Sequence, residues 1–388
     1  MDIIMNQSIR YIKQAFERNN NCAYEMYSAP GRINIIGEHT DYNEGFVLPA
    51  AIDKRIYLAI AARNDTVVEI ISTDYDEKVT FDIEDDRPVL PHWAVYPFGV
   101  VKELHAAGGI IKGFHAVFGG DIPKGAGMSS SAAIESVFAC AINSIFSLEM
   151  DKLSLAKIGQ KAEHNFAGVR CGIMDQFASF FGKKDYVIRL DCRTLDHDFF
   201  SLALKGYELV LADTRVKHSL AASEYNTRRQ QCEEGVSIIQ KRHAHVHSLR
   251  DVSKQIMHKH QKALNKDVYN RCNFVVNENA RVLQSCAALE SGDFQKLGTL
   301  MYESHEGLRH DYEVSCDELN ILVDTAKKIQ GVAGARMMGG GFGGCTLNLI
   351  QKEDVETFNL QCSKAFYTAF GKQPFFYSVK TDNGAGKM

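Results

Sequence analysis

The amino-acid sequence lacks the features that would assign it to several large protein classes. Its ten cysteines include no pair at CxxC spacing, which excludes zinc-ribbon and thioredoxin-like sites, and their scatter is typical of free thiols in a reducing compartment. It has no long block of basic residues and a formal net charge of −4, so we expect neither nucleic acid nor an anionic membrane as a partner. No uncharged run approaches membrane-spanning length, and the N-terminus lacks the basic and apolar regions of a signal peptide. We therefore expect a cytoplasmic protein that acts on small molecules.

What the chain does contain is the composition of an ordinary globular protein, with 388 residues, 45% of them hydrophobic and 24% charged. This is enough for two domains or one large α/β unit with a substantial core. Apolar periodicity predicts a mainly helical stretch over 224–330 and helices at 6–19, 129–148, 154–167 and 171–181. Alternating or β-branched runs predict strands at 46–49, 56–60, 67–72, 114–118, 186–192, 207–213 and 345–350. Because several strands precede the helices, this order favours an α+β fold over a doubly wound parallel sheet.

The segment from Ala29 to Asn43 carries an unusual density of directional polar groups between two apolar stretches. Within ten positions it holds one arginine, two carboxylates, a histidine and a threonine: Arg32, Glu38, His39, Thr40 and Asp41. A structural turn does not need so many donors and acceptors, whereas a site for a polyhydroxylated ligand needs one for each hydroxyl. The segment therefore predicts a binding site for a small polyol, although Arg32 taken alone is explained equally well by a surface salt bridge.

A glycine- and serine-rich stretch at 123–133 joins a predicted strand to a predicted helix. Glycines allow the backbone to approach a ligand, and the start of a helix offers free N–H groups to an anion. Three serines add hydroxyl donors and a candidate ligand for Mg²⁺. The stretch is not a Walker A loop, since GxxxxGK[ST] does not occur in the chain. It predicts a polyphosphate-binding loop, with a helix start capped by serine as the alternative.

The run from Gly339 to Gly344 contains GxGxxG, but a strand rather than a helix is predicted after it. A dinucleotide-binding fold requires a helix at that point, so we reject this interpretation. Either a flexible turn or a second backbone loop beside the phosphates explains these glycines.

Histidines cluster in the second half of the chain, at 243–247 and 258–260. On a strand, the alternating His243, His245 and His247 would share one face, as metal ligands can. No acidic or cysteine partner lies close by in sequence, so a solvated loop is the better interpretation.

Five stretches resemble motifs of the galactokinases of the GHMP kinase superfamily: GRINIIGEHTDYNEGFVLP at 31–49, PKGAGMSSSAA at 123–133, CGIMDQ at 171–176, SEYNTRRQQC at 223–232 and RMMGGGFGGC at 336–345. The first is highly specific, whereas the phosphate loop and the glycine-rich run define only the superfamily. The phosphate loop departs mildly from the pattern, with Met128 where leucine is usual and Ala126 where glycine is frequent. The resemblance covers the chain from about residue 25 to the C-terminus.

The resemblance implies a two-domain α+β GHMP kinase fold with the active site in the cleft between the domains, which we expect at 1–180 and 181–388. It implies ATP-dependent phosphorylation of α-D-galactose at the 1-hydroxyl, giving α-D-galactose 1-phosphate and ADP in the first committed step of galactose catabolism. ATP and Mg²⁺ are the implied cofactors, galactose and ATP are the implied substrates, and we expect a monomer.

The resemblance also implies roles for individual residues. Asp175 faces the reacting sugar hydroxyl on this view, and Arg32 is its partner. Sugar contacts are implied for Glu38, His39, Thr40, Asp41, Gly172 and Tyr225. Nucleotide contacts are implied for Ser72, Gly125, Ala126, Gly127, Met128, Ser129, Ser130 and Ser131. The implied Mg²⁺ ligands are Ser131 and Glu163.

The pairing of Asp175 with Arg32 leads to a hypothesis about how the sugar proton is removed. An adjacent guanidinium favours the ionised form of a carboxylate and so makes it a weak base. We therefore predict that Asp175 accepts the sugar proton late, after the bond to phosphorus has begun to form, while Arg32 holds it and offsets developing charge. Glu38 and Asp41 are predicted to be acceptors for sugar hydroxyls, where a buried acceptor left unpaired costs about 1–3 kcal/mol.

Several alternatives stay open on the sequence alone. Glu163 would also suit a solvated helix face, and Tyr225 would suit a core position. An N-acetylgalactosamine kinase needs only more room around the sugar 2-position. A non-catalytic galactose sensor is disfavoured by the intact serine–alanine loop, and a GHMP enzyme for isoprenoid or amino-acid alcohols is disfavoured by the His39-Thr40-Asp41 cluster.

Overall fold

The computed structural model describes residues 2–86, 88–216 and 221–388, and the structural statements below concern these residues. Its helices are α1 (Asp2–Asn19), α2 (Val95–Ala106), α3 (Ser130–Ile145), α4 (Lys152–Ala162), α5 (Met174–Phe181), α6 (Ala221–Gln240), α7 (Lys254–Lys259), α8 (Lys266–Ser291), α9 (Phe294–His310), α10 (Asp317–Ala326) and α11 (Val355–Phe370). Its strands are β1 (Glu25–Asn34), β2 (Phe46–Val47), β3 (Pro49–Ala62), β4 (Val67–Ser72), β5 (Glu77–Asp82), β6 (Phe114–Gly120), β7 (Tyr186–Asp191), β8 (His197–Ser201), β9 (Tyr207–Asp213), β10 (Val332–Met337), β11 (Cys345–Gln351), β12 (Phe375–Val379) and β13 (Gly386–Lys387).

The strands form sheets that are antiparallel at nearly every pairing. The largest sheet has the order β13-β1-β3-β6-β4-β5, in which β4 and β6 are the parallel pair. A second sheet has the order β10-β11-β9-β12, and a short third sheet the order β2-β7-β8. Helices α3 and α5 pack on the first sheet with α2 and α4 beside them, whereas α9 and α10 pack on the second. This arrangement confirms the predicted α+β class.

The C-terminal residues return to the first sheet. Strand β13 pairs antiparallel with β1, and the guanidinium of Arg55 in β3 lies 2.9 Å from the Asp382 carboxylate. A domain boundary near residue 180 stays a prediction, but any such division has to group residues 381–388 with the first half.

A glycine in β1 allows this strand and the predicted phosphate loop to approach each other closely. The register between β1 and β3 shifts between Pro30 and Arg32, around Gly31. A Cβ atom on Gly31 would stand 2.7 Å from the carbonyl oxygen of Met128, and the Arg32 amide donates to that same oxygen at 3.1 Å. The absence of a side chain at position 31 therefore lets the predicted phosphate loop lie directly against β1.

Most predicted elements are present, with changed bounds. The helix predicted at 154–167 divides, because α4 ends at Ala162 and Glu163–Ala167 form a π-helical turn, a feature common at functional sites. The prediction missed α2, β5, β8, β10, β12, β13 and α11. Strand β8 buries none of its residues, so it lacks the alternation that marks a half-buried strand. Strand β5 does alternate, with Val79 and Phe81 buried, and its short pattern was overlooked.

Neither a membrane span nor a disulfide bond is found in the described part of the chain. No helix there is both long and apolar enough to cross a bilayer. All ten cysteines are free thiols, and five of them are buried as small apolar side chains, namely Cys232, Cys272, Cys286, Cys345 and Cys362.

Candidate active site

A polar cavity opens where the loop after β1, the start of α5 and the run Gly339–Gly344 meet. It encloses about 520 Å³ of empty space, including the part open to solvent. Its lining includes eight residues predicted for the site: Arg32, Glu38, His39, Asp41, Glu163, Gly172, Asp175 and Tyr225. The fold thus gathers residues from distant parts of the sequence around one volume.

The Asp175 carboxylate, in the first turn of α5, is held from two sides. Arg32 donates to both of its oxygens, from Nε to Oδ1 at 2.6 Å and from Nη2 to Oδ2 at 2.9 Å. The Ser129 hydroxyl donates to Oδ2 at 2.5 Å, and its backbone adopts the left-handed conformation with φ of 56°. Burial alone would lower the pKa of Arg32, but the Asp175 and Glu38 carboxylates raise it on balance.

Arg32 also ties this carboxylate to the predicted phosphate loop. Its Nη1 donates to the Gly127 carbonyl at 2.6 Å. In that loop Gly125 and Gly127 have φ of 77° and 74°, a region that glycine adopts readily. The loop ends at Ser129, directly before α3, so N–H groups of the first helical turn are free to bind an anion. Ala126 and Met128 are buried, so they would contribute through their backbone.

The Glu38 carboxylate joins the loop after β1 to the second sheet. Its Oε1 accepts hydrogen bonds from the Gly339 amide at 2.8 Å and from Arg336 Nη1 at 3.3 Å. Arg336 is fully buried, and Glu38 is only 2% exposed. Each group is therefore the charged partner that the other needs in the interior.

Asp41 faces the cavity through a gap left by Gly172. A Cβ on Gly172 would stand 2.1 Å from Asp41 Oδ2, closer than any real contact. Burial, and next the neighbouring Asp175 carboxylate, raises the pKa of Asp41 to about 7. The cavity thus carries a concentration of negative charge that hydroxyl donors of a ligand would stabilise.

His39 and Thr40 lie side by side but have different surroundings. The His39 ring lies 5.3 Å from the Tyr225 ring, and both rings line the cavity. The Thr40 hydroxyl is buried and donates toward the carbonyl oxygens of Gly37 and Phe46, at 2.8 and 2.6 Å. Thr40 therefore fixes the shape of the loop that presents its neighbours.

Glu163 is buried rather than on a solvated helix face. The Ser131 hydroxyl lies 3.3 Å from its Oε1, and the Gln176 amide donates to its Oε2 at 2.9 Å. Burial, and next Asp175, raises the pKa of Glu163 to about 7. Ser131 and Glu163 provide one hydroxyl and one carboxylate, which suits Mg²⁺ because that ion keeps waters and phosphate oxygens as its other ligands.

Sequence reasoning missed a second carboxyl group behind Glu163. Glu135 of α3 is fully buried, and its Oε2 accepts a hydrogen bond from the same Gln176 amide at 2.8 Å. Burial, and next Glu163, raises the pKa of Glu135 well above its usual range. A glutamate four residues after Ser131, the one charged residue of α3, was the available signal.

Ser72 lies apart from the cavity lining, at the end of β4, and it is fully buried. Close to it in sequence, the exposed ring of Tyr75 stacks on Trp93 with centroids 6.1 Å apart. Lys124, from the predicted phosphate loop, places its ammonium 3.6 Å from the Tyr75 ring centroid. An exposed aromatic ring beside such a loop offers a stacking surface for a nucleotide base.

The run Gly339–Gly344 packs against the predicted phosphate loop. A Cβ on Gly339 would stand 3.4 Å from the Gly127 carbonyl oxygen, and β11 rather than a helix follows the run. The rejection of a dinucleotide fold is confirmed, whereas a role for the run as a second backbone loop beside the phosphates stays a prediction.

The histidine cluster does not form a metal site in the described part of the chain, where no group of three suitable side chains is found. His260 is buried and its Nδ1 lies 2.9 Å from the Ile256 carbonyl, which fits a structural role.

Comparisons with known proteins indicate the family of this chain. Family models match a galactokinase galactose-binding signature at 13–62, a GHMP kinase N-terminal domain at 95–183 and a GHMP kinase C-terminal domain at 286–368. The galactokinase of Thermosipho africanus is 43% identical over 361 residues, covering 93% of this chain and 99% of that protein. That of Roseiflexus sp. is 40% identical, covering 93% and 92%. A crystal structure of Lactococcus lactis galactokinase complexed with galactose is 33% identical, with a TM-score of 0.94 over 98% of this chain and 100% of that chain.

Proposed function

Since this chain belongs to the galactokinase family of GHMP kinases, we propose that it transfers the γ-phosphate of ATP to the 1-hydroxyl of α-D-galactose. The products are α-D-galactose 1-phosphate and ADP. One observation carries the proposal. The Asp175 carboxylate lines the polar cavity, and its hydrogen bonds with Arg32 and Ser129 connect it to the phosphate loop.

Phosphoryl transfer depends mainly on positioning and on stabilising charge. In our proposal Asp175 accepts the proton of the 1-hydroxyl as the new bond to phosphorus forms. Arg32 holds the carboxylate in place, and backbone N–H groups from Gly125 to Ser131 bind the phosphates. The two hydrogen bonds from Arg32 leave the carboxylate little freedom to rotate, which keeps its proton-accepting oxygen aimed at one point.

For the sugar, we assign hydroxyl contacts to the polar groups that line the cavity. Glu38 and Asp41 serve as acceptors, while His39, Tyr225 and the backbone at Gly172 complete the wall. Thr40 acts through the loop, because its hydroxyl is already occupied by two carbonyl oxygens.

Replacement of Gly172 by Ala tests the role of Asp41. The new Cβ would displace the Asp41 carboxylate, so we expect KM for galactose to rise about tenfold, as for the loss of one good hydrogen bond. Steady-state kinetics with varied galactose measures this. Gly386→Ala is the matched control, because no atom lies within 4 Å of a Cβ there. An unchanged KM in Gly172→Ala would contradict the assignment.

For the metal, we propose that Ser131 and Glu163 hold Mg²⁺ with the nucleotide. When bound, the ion supplies neutralisation of charge on the phosphate oxygens. The pairing of hydroxyl and carboxylate at 3.3 Å and the orienting hydrogen bond from Gln176 support this choice.

Glu163→Gln is expected to raise the Mg²⁺ concentration for half-maximal turnover at least about tenfold, because a ligand charge is lost. Binding of Mn²⁺ to the complex with ADP, followed by electron paramagnetic resonance, gives a readout independent of turnover. Glu103→Gln is the control, because Glu103 is a partly exposed carboxylate on α2 that accepts a hydrogen bond from Asn165. Equal metal affinity in both variants would rule out Glu163 as a ligand.

The most direct test of the function is ADP release with a panel of sugars. We expect turnover with galactose and little with glucose or N-acetylgalactosamine. Comparable turnover with N-acetylgalactosamine would favour a kinase for 2-substituted sugars. Sugar binding without turnover would indicate a sensor, an alternative that the intact serine loop and the Arg32–Asp175 pair disfavour.

The sequence further predicts a cytoplasmic monomer divided near residue 180, and we retain these as proposals. Light scattering on the purified protein tests whether it is a monomer, and limited proteolysis tests the domain division.

A further inference from the structure

One helix from the second half of the chain holds both ends of the sugar loop, the segment 37–46 that carries groups assigned to the sugar. At the start of this loop, the Gly37 amide donates to Glu278 Oε1 at 2.9 Å. At its end, the Phe46 amide donates to Asn279 Oδ1 at 2.9 Å. Glu278 and Asn279 are consecutive residues of α8, and the mechanism described above assigns no role to either of them.

Glu278 is a fixed anchor, because its carboxylate is buried and has several partners. Besides the Gly37 amide, Oε1 accepts a hydrogen bond from the Ser304 hydroxyl of α9 at 2.7 Å. Arg281 Nε donates to Oε2, also at 2.7 Å, and supplies the opposite charge that a buried carboxylate requires. The start of the sugar loop is therefore tied to two packed helices, α8 and α9.

Asn279 holds the other end of the loop through its side-chain oxygen. An oxygen has to face the Phe46 N–H, since an NH₂ group at that point would place two donors against each other. Among the described residues, the Asn279 side-chain nitrogen has no hydrogen-bond partner, so the oxygen is the group that matters. The approach is close, because a Cβ on Gly45 would stand 2.3 Å from Asn279 Oδ1.

The two ends of the sugar loop are also joined to each other. The Thr40 hydroxyl lies 2.8 Å from the Gly37 carbonyl oxygen and 2.6 Å from that of Phe46. Gly37 has φ of 102°, and a Cβ there would stand 2.8 Å from the same Phe46 oxygen. Residues 38–41 lie between these fixed ends, and three of them line the cavity. A displacement of either end would therefore move several sugar contacts together.

We propose that Glu278 and Asn279 are positioning residues for sugar recognition, which clamp the two ends of the sugar loop and so set the spacing of its polar groups. The inference rests on the proposed function in one respect, because it takes the ligand of the cavity to be the sugar. Both residues lie outside the cavity lining, so they act through the loop rather than on the sugar or the phosphates.

Asn279→Ala removes the acceptor at the end of the loop. We expect KM for galactose to rise about fivefold to tenfold, while kcat and KM for ATP stay within about twofold, because the loop serves the sugar rather than the reacting centre. Asn279→Asp should restore KM, since a carboxylate oxygen can accept the same hydrogen bond. A purely structural role would lower the amount of folded enzyme and leave KM unchanged. Asn277→Ala is the matched control, because Asn277 lies on the same helix and its amide donates to the Asn273 carbonyl within that helix.

Hydrogen exchange in the ligand-free protein, followed by mass spectrometry at single-amide resolution, tests the clamp without any turnover. In Asn279→Ala, the Phe46 amide should exchange at least about tenfold faster, while the Gly37 amide, which Glu278 still holds, changes less. The double variant Glu278→Met/Arg281→Met replaces both charges at similar volume, which a fold can tolerate, and there the Gly37 amide should be the faster one.

If Asn279→Ala does not fold, Asn279→Ser makes the same test, because its shorter side chain does not reach the Phe46 amide. Unchanged exchange at Phe46, an unchanged KM for galactose, or failure of Asn279→Asp to restore KM would overturn the inference. Absence of galactose binding by the wild type would instead overturn the proposed function, and the exchange rates would still decide whether α8 clamps the loop.

Discussion

Asp175→Asn is expected to lower kcat for galactose phosphorylation about 10³-fold, within the range usual for loss of a positioned base. The carboxylate accepts two hydrogen bonds from Arg32 and one from Ser129. An amide has the same shape but no charge, and it can no longer accept the sugar proton. Arg32 keeps its bond to Gly127 and the negative charges of Glu38 and Asp41 nearby, so the fold should tolerate the change. We therefore expect galactose binding within a few-fold of wild type.

Single-turnover kinetics and equilibrium galactose binding measure the two quantities separately. Asp382→Asn is a matched control, because Asp382 forms an ion pair with Arg55 and its side chain is 32% exposed, close to the 27% of Asp175. This control should retain near-normal turnover. Wild-type turnover in Asp175→Asn would rule out a proton-accepting role, and loss of folding in both variants would show that the ion pairs are structural.

Glu38→Gln is expected to lower the free energy of unfolding by about 3–5 kcal/mol, the range found when one partner of a buried ion pair is removed. Arg336 has no exposed surface, and its guanidinium donates to Glu38 at 3.3 Å. Without the carboxylate, the positive charge stays in the interior without compensation. Urea denaturation measures the change. Glu25→Gln, at an exposed pair with Lys387, should alter stability by less than about 1 kcal/mol.

The double variant Glu38→Gln/Arg336→Met separates stability from recognition. Removal of both charges should recover much of the lost stability, because the uncompensated guanidinium is gone. Galactose affinity should be reduced in both the single and the double variant, since an amide at residue 38 has no charge and one acceptor oxygen fewer than the carboxylate. If the double variant is as unstable as the sum of the single ones, the two residues do not interact as the structure indicates.

Local sequence predicted the elements that have a strong pattern of their own. Val67–Ser72 is a strand with the predicted bounds, because its β-branched residues alternate between buried and partly exposed positions. The long helix after the phosphate loop was predicted too, although it ends at Ile145 rather than 148. The return of the C-terminus to the first sheet was missed, since the two-residue strand Gly386–Lys387 has no pattern and is defined only by its partner.

The residues of the candidate site also include some that the sequence predicted and some that it missed. Its motif residues lie in short contiguous stretches, so the family resemblance was sufficient to indicate Arg32, Glu38, Asp41, Glu163 and Asp175. Arg336 and Glu135 were missed, because a buried charge is visible only when its burial and partner are known. The sequence also could not show that Thr40 is occupied by backbone carbonyls.

By itself the sequence determined the family, the chemistry and the absence of CxxC and Walker A motifs, because these depend on residue types at short, fixed spacing. Only the tertiary structure decided which side chains meet. Glu38 and Arg336 are 298 positions apart, and Tyr42 and Tyr312 are 270 apart. Such contacts arise from the packing of whole sheets and helices, which no local periodicity encodes. For that reason the sugar-binding segment could be recognised from sequence, whereas the buried groups that hold it in place could not.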